Sequence, residues 1–465
     1  MWTTRRSREH RRRARTGTPS SAGLQRSRRR KGLPVLDQPV DPEGRLTWFT
    51  QARFGMFVHW GLYSLAARHE WVQSREAQTE DEYRRYFEHF DPVDADIGAW
   101  VRDARDAGMK YVVLTAKHHD GFCLWNTRTT DFSAPHTPWG RDAVAEFVAA
   151  CRAEGMRIGL YYSLIDWHHA DFVIDELHPE RDRDALARNA ERDMSRYRDY
   201  MVAQLTELLT EYGAIDYLFF DYSYPDLRTD ERFVGKGARD WNSERLLALC
   251  RRLQPRMLVN DRLGIHADFV TPEQYQPASR LEREGVAVAW EACQTLNGSW
   301  GYDAANTAFK SEDLLIRMLV DTVSKGGNML LNVAPDGQGR LDEISRDTLS
   351  AIGGWHRLHS RAIVGAGTAE LPLPLDARYT RRENRLYLHL FAWPFERIDL
   401  PGLGGRVGYA QFLHNAAEVP ISRGDPSVNA DLLTPQGADE DVLHLHLPAQ
   451  KPKVAVPVIE LFLEE

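Results

Sequence analysis

The chain has 465 residues, 43% apolar and 27% charged, the composition of a globular protein too long for one ordinary core. No apolar run approaches the ~20 residues that a membrane-spanning helix requires. Cys123, Cys151, Cys250 and Cys293 are too scattered for a zinc ribbon or a disulfide framework, so reduced, packed thiols are expected.

The formal net charge of −8 is uneven. Residues 1–32 hold twelve Lys and Arg against one Glu, a charge of +11 that leaves −19 for the rest. The segment "RRSREHRRRARTGTPSSAGLQRSRRRK" has no hydrophobic periodicity and reads as a disordered basic leader over residues 1–40. A nucleic-acid arm is the other reading of such a charge run, and no nucleic-acid partner is expected. The arginines are not followed by the 7–15 apolar residues of an export signal, so a cytoplasmic location is expected.

"RFGMFVHWG" (53–61) reads as a first strand. Three segments then repeat one pattern of amphipathic helix, glycine stop and apolar strand. "IGAWVRDARDAGMKYVVLTAKH" turns at Gly108, "AVAEFVAACRAEGMRIGLYYS" at Gly155, and "YMVAQLTELLTEYGAIDYLFFD" at Gly213. Further strands are expected at 256–262, 286–293 and 328–335, with Ser311 capping the helix before the last. Strands that are apolar throughout, alternating with helices, indicate a parallel sheet covered on both faces. Seven of them over about 300 residues suit a (β/α)₈-type TIM-like barrel across residues 41–365; an open doubly wound sheet is the alternative. From about residue 366 to 465 "RLYLHLFAW", "VLHLHLPA" and "VIELFLEE" alternate between Pro/Gly-rich separators, the pattern of a C-terminal antiparallel β-sandwich.

Polar groups fall at the ends of these strands: His59-Trp60, Lys117-His118-His119-Asp120, Tyr161-Tyr162-Ser163, Asp221, Asn260-Asp261-Arg262 and Glu291. In a barrel all such ends face one mouth, where catalytic groups collect. Asp221 directly after "YLFF" requires either a site or a buried cation, with Arg262 the available partner. Carboxylates, neutral donors and the indole faces of Trp71, Trp125 and Trp300 suit glycoside hydrolysis. Metal catalysis is the rival reading. It lacks a His-x-His on the first strand, and adjacent His118 and His119 would point to opposite sides of an extended strand. Neither a metal nor a cofactor is expected.

"RFGMFVHWGLYS", "HEW", "KHHDGFCLW", "DFS", "GLYYSLIDW", "SWGY" and "SKGGNMLLNVAPDGQG" together resemble the α-L-fucosidases of glycoside hydrolase family 29, from about residue 46 to 365. The resemblance implies a retaining double displacement without cofactor, acting on a fucosylated oligosaccharide or glycoconjugate. It implies Asp221 as nucleophile, and His59, Glu70, Trp71, His118, His119, Tyr161, Arg262 and Trp300 as pocket residues. It further implies that Trp300 falls near the sugar methyl and that Asp120 braces the histidine loop. Glu273 in "DRLGIHADFVTPEQYQ" is the chosen acid/base; Glu291 is the alternative, with Glu282 and Glu284 further candidates. "FFDYSY" departs from many members by placing a large residue after the nucleophile. A catalytically silent sugar-binding barrel and a glycosidase of different sugar specificity remain alternative functions, and oligomerisation is open.

Overall fold

The computed structural model describes residues 41, 44–374, 376–423 and 441–464; the leader assigned to residues 1–40 lies outside them. Five parallel strands come first: β1 (Phe54–Val58), β2 (Tyr111–Lys117), β3 (Arg157–Ser163), β4 (Tyr217–Asp221) and β5 (Leu258–Val259). A short antiparallel pair follows, β6 (Glu282–Arg283) and β7 (Val286–Ala287), then β8 (Glu291–Thr295) and β9 (Asn328–Val333). The helices between strands start where side chains satisfy free backbone donors. Asp96, Asp142 and Ser311 accept from the N–H three residues on, at 2.8, 2.8 and 3.2 Å. The three expected glycine stops all have positive φ: 92° at Gly108, 65° at Gly155 and 72° at Gly213.

The parallel strands run in the order β5-β4-β3-β2-β1-β9-β8. The sheet is curled. Its inner face gathers Phe57, Val113, Tyr161, Tyr217, Phe219, Leu258, Cys293 and Leu330, drawn from both ends of that order, into one apolar cluster. The helices pack a second, larger cluster onto the outer face. Between the two edge strands, residues 268–273 touch both: Asp268 N–H donates to Val259 O, and Cys293 N–H to Pro272 O, each at 2.9 Å. Isolated bridges pair Asn260 with Phe269, Val270 with Trp290 and Glu273 with Cys293. Pro272 has no N–H to give, which keeps this segment from forming a regular ladder.

The strand expected at 286–293 is displaced. Glu284 (φ 53°) and Gly285 (φ 78°) turn the chain into the β6–β7 pair, and the parallel strand begins only at Glu291. Glu291 therefore opens its strand instead of ending it.

The C-terminal strands form two antiparallel sheets. β10 (Ala377–Arg382), β11 (Arg385–Leu390), β13 (Val407–Phe412) and β16 (Val458–Leu463) pair in the order β10-β11-β16-β13. β12 (Arg397–Pro401), β14 (Ile421–Arg423) and β15 (Val442–His446) pair as β12-β15-β14. Both sheets contribute to one core that includes Leu388, Leu400, Phe412, Leu445 and Ile459. Arg378 on β10 bonds Asp321 of helix Glu312–Ser324 (2.7 Å), tying this layer to the parallel sheet.

Candidate active site

A pocket of about 380 Å³ opens at the carboxyl ends of the parallel strands, and all ten candidate site residues line it. Asp221 ends β4. Its Oδ2 accepts from the Tyr161 hydroxyl on neighbouring β3 at 2.8 Å, and its Oδ1 from Arg262 Nη1 at 3.0 Å. The same Nη1 lies 2.6 Å from Glu273 Oε2, which caps the separation of these two carboxylate oxygens at 5.6 Å. Thr271 fixes the guanidinium from behind, its hydroxyl accepting from Nε at 2.9 Å and its carbonyl from Nη2 at 3.2 Å. Burial pushes the Asp221 carboxyl above the usual aspartate range, against the pull of Arg262. Burial also works against the Arg262 charge, but the two carboxylates more than offset it. The Glu273 side chain is 40% exposed against 14% for Asp221, so one carboxylate is sunk and the other stands at the mouth.

The imidazoles are neutral, and hydrogen bonds assign the tautomers of His59 and His119. Asn332 Nδ2 donates to Trp300 O (2.7 Å), so its Oδ1 faces His59 Nδ1 at 2.6 Å and must accept a hydrogen bond from it. Ser163 donates to Ile165 O (2.7 Å) and therefore accepts from His119 Nδ1, also at 2.7 Å. In both rings Nε2 is left as an acceptor for a hydroxyl. Burial lowers His59 to about 3 and holds His118 and His119 well below the ordinary histidine range. His118 Nδ1 is buried with no hydrogen-bond partner, and its ring stacks on Tyr161 at 5.6 Å.

Glu70 accepts from Gly301 N–H at 2.8 Å, and burial raises its pKa. Trp71 lies edge-on to His119 at 4.8 Å, and Trp300 tilts over His59 at 5.3 Å. Four further residues complete the lining: Phe57, Phe219, Tyr222 and Cys293. Phe57 precedes His59 by two, and Phe219 precedes Asp221 by two. Strand alternation puts each pair on one face, so these floor residues had a signal in the sequence.

Four expectations need correction. Glu291 is not at the mouth: it is fully buried and accepts from Tyr111 and Tyr217, the first residues of β2 and β4, so it sits at the opposite end of the sheet. Trp125 is not in the pocket; it is a core residue whose indole donates to Glu207 at 3.1 Å. His118 and His119 do not diverge, because β2 shifts register between Thr115 and Lys117 and ends before them. A turn closed by Gly121 N–H to His118 O brings their rings to 4.1 Å, with Tyr83 and Phe122 N–H holding Asp120 beneath. Glu282 is on the exposed β6–β7 hairpin, paired with Arg280, and neither it nor Glu284 lines the pocket.

Two carboxylates held within 5.6 Å can serve as a pair in which one attacks a sugar and the other protonates the leaving oxygen. Retaining glycosidases use about 5–5.5 Å for this, and neutral imidazoles suit sugar hydroxyls as partners. Fold and site together therefore define a glycoside hydrolase. The profile of the family Alpha-L-fucosidase matches residues 37–361. Tissue alpha-L-fucosidase of Rattus norvegicus is 29% identical over 402 residues, covering 78% of this chain and 79% of that protein. Among solved structures, alpha-L-fucosidase isoenzyme 1 from Paenibacillus thiaminolyticus superposes with a TM-score of 0.83 at 43% identity, covering 91% of this chain and 99% of that one. The alpha-fucosidase of Thermotoga maritima, in complex with a mechanism-based inhibitor, does so with 0.71 at 27% identity, covering 90% and 96%. The chain belongs to the alpha-L-fucosidase family.

Proposed function

We propose that the protein is a retaining, exo-acting α-L-fucosidase in which Asp221 is the nucleophile and Glu273 the general acid/base, releasing terminal α-L-fucosyl groups from oligosaccharides or glycoconjugates. The observation that carries this reading is the single guanidinium shared by the two carboxylates. Asp221, sunk between Tyr161 and Arg262, attacks the anomeric carbon to form a fucosyl ester. Glu273, at the mouth, protonates the departing oxygen and then deprotonates the incoming water. The acceptor nitrogens of His59 and His119, with Glu70, accept hydrogen bonds from the ring hydroxyls.

The pocket ends on the filled interior of the sheet, where Phe57 and Phe219 form the floor, so only a chain-terminal sugar enters. The apolar corner between Phe57 and Trp300 (ring centroids 6.1 Å apart) suits a methyl group. A C6 hydroxyl there loses its water without gaining a partner, which favours a 6-deoxy sugar over galactose. The eightfold closure of the barrel belongs to the same proposal, with residues 268–273 in the eighth position and Glu273 thereby aimed at Asp221.

The test is hydrolysis of an aryl α-L-fucoside followed by proton NMR. The first product expected is α-L-fucose. Azide is expected to restore turnover to Glu273→Ala with an α-linked fucosyl azide as product. First appearance of β-L-fucose, or full activity of Glu273→Ala on a substrate with a poor leaving group, overturns the assignment.

A further inference from the structure

A second cavity of about 650 Å³ adjoins the first and shares Tyr222 and Arg262 with it. Its other lining residues are Ser223, Tyr224, Leu227, Asp261 and Gly264. Three observations say that this groove is built. Tyr222 has a φ of 77°, a left-handed conformation that favours glycine, so the chain bears backbone strain to keep a large ring there. That ring packs between Trp71 (5.1 Å) and Tyr224 (5.4 Å), forming the partition between pocket and groove. Tyr224 is itself held by a buried ion pair, its hydroxyl donating to Asp175 (2.5 Å), which also bonds Lys236. Finally, Ser223 Oγ has no hydrogen-bond partner, so it forfeits nothing by turning to a ligand.

The groove starts at Arg262, the residue that carries Glu273, and a leaving group must pass the carboxyl that protonates it. Resting on the fucosidase reading, we infer that the groove lined by Tyr222, Ser223, Tyr224, Leu227 and Asp261 binds the leaving-group sugar. Its chemistry is that of an uncharged glycosyl unit: tyrosine rings and Leu227 meet the C–H edges, while Ser223 and Asp261 meet the hydroxyls. Asp261 already accepts from Thr271 at 3.1 Å and brings a negative charge, so sugar units bearing carboxylates are disfavoured. Gly264 keeps the wall thin, since a Cβ there would stand 2.7 Å from Ser223 Oγ.

The experiment compares α-L-fucosyl fluoride, whose leaving group has no body to bind, with a neutral α-L-fucosyl disaccharide. Ser223→Ala and Leu227→Arg are the variants, and neither residue touches the fucose pocket. Ser223→Ala is expected to lower kcat/KM on the disaccharide about fivefold, and Leu227→Arg about tenfold or more. Both are expected to leave the fluoride within about twofold. Equal losses on the two substrates, or no loss on the disaccharide, overturn the subsite assignment while leaving the fucosidase reading intact. Failure of the unmodified protein to hydrolyse the fluoride overturns the fucosidase reading itself.

Discussion

Glu291→Gln separates Glu273 from Glu291, the first two of the four glutamates that the sequence offers as acid. Glu291 lies at the closed end of the sheet, fully buried between Tyr111 and Tyr217, and burial raises it to about 7 from 4.5 although both hydroxyls favour its charge. A shift of that size corresponds to about 3 kcal/mol. The folded-state pKa is raised, so the group's stabilising effect is complete below pH 4.5 and is lost as pH rises through 7. Glutamine is neutral throughout and lacks this slope. The stability of Glu291→Gln relative to the parent is therefore expected to improve by about 3 kcal/mol between pH ~4 and ~8, measured by urea unfolding at several pH values. Turnover of an aryl α-L-fucoside is expected to stay within about twofold, since the residue touches no substrate. A parallel pH dependence in parent and variant refutes the burial argument. A loss of turnover of ~10² or more with folding intact refutes the placement of the acid at Glu273.

Other consequences follow from the same geometry. Arg262→Ala removes the cation that pulls against burial at Asp221, so the acidic limb of kcat/KM is expected to move to higher pH; an unmoved limb shows that Asp221 does not set it. Asn332→Leu releases both the His59 tautomer and the Trp300 carbonyl from a residue that does not itself line the pocket, and a ~10-fold or greater fall in kcat/KM is expected, with the melting temperature tracked to exclude unfolding. Lys117→Met leaves Asp166 buried without its cation and is expected to cost about 3–5 kcal/mol in denaturant unfolding, because both side chains lie out of solvent.

How much of this was legible in the sequence depended on range. Six of the seven parallel strands, the glycine stops and the Ser311 cap are local signals, and each was readable. His59, His118, Tyr161 and Asp221 follow from them, since a polar residue at the end of an apolar run has only the mouth to face. Glu291 misled for the same reason: "VAVAW" is as apolar as "YLFF", and only the turn at Glu284 and Gly285 decides where the parallel strand begins. The meeting of His118 and His119 depends on a register shift in β2 that has no pattern along the chain. Trp125 shows the limit of composition, because an indole serves a core as well as it serves a sugar. Glu273 sits on a segment whose place between the two edge strands comes from long-range pairing, so no local rule finds it.

The central claim is that Asp221 forms a covalent bond to the sugar. Incubation with a 2-deoxy-2-fluoro α-L-fucosyl donor carrying a good leaving group, followed by peptide mass spectrometry, tests it most directly. The account predicts one fucosyl adduct, carried by the peptide that contains Asp221 and absent from Asp221→Asn. An adduct on Glu273, or full inactivation of the enzyme with no adduct on Asp221, would contradict it.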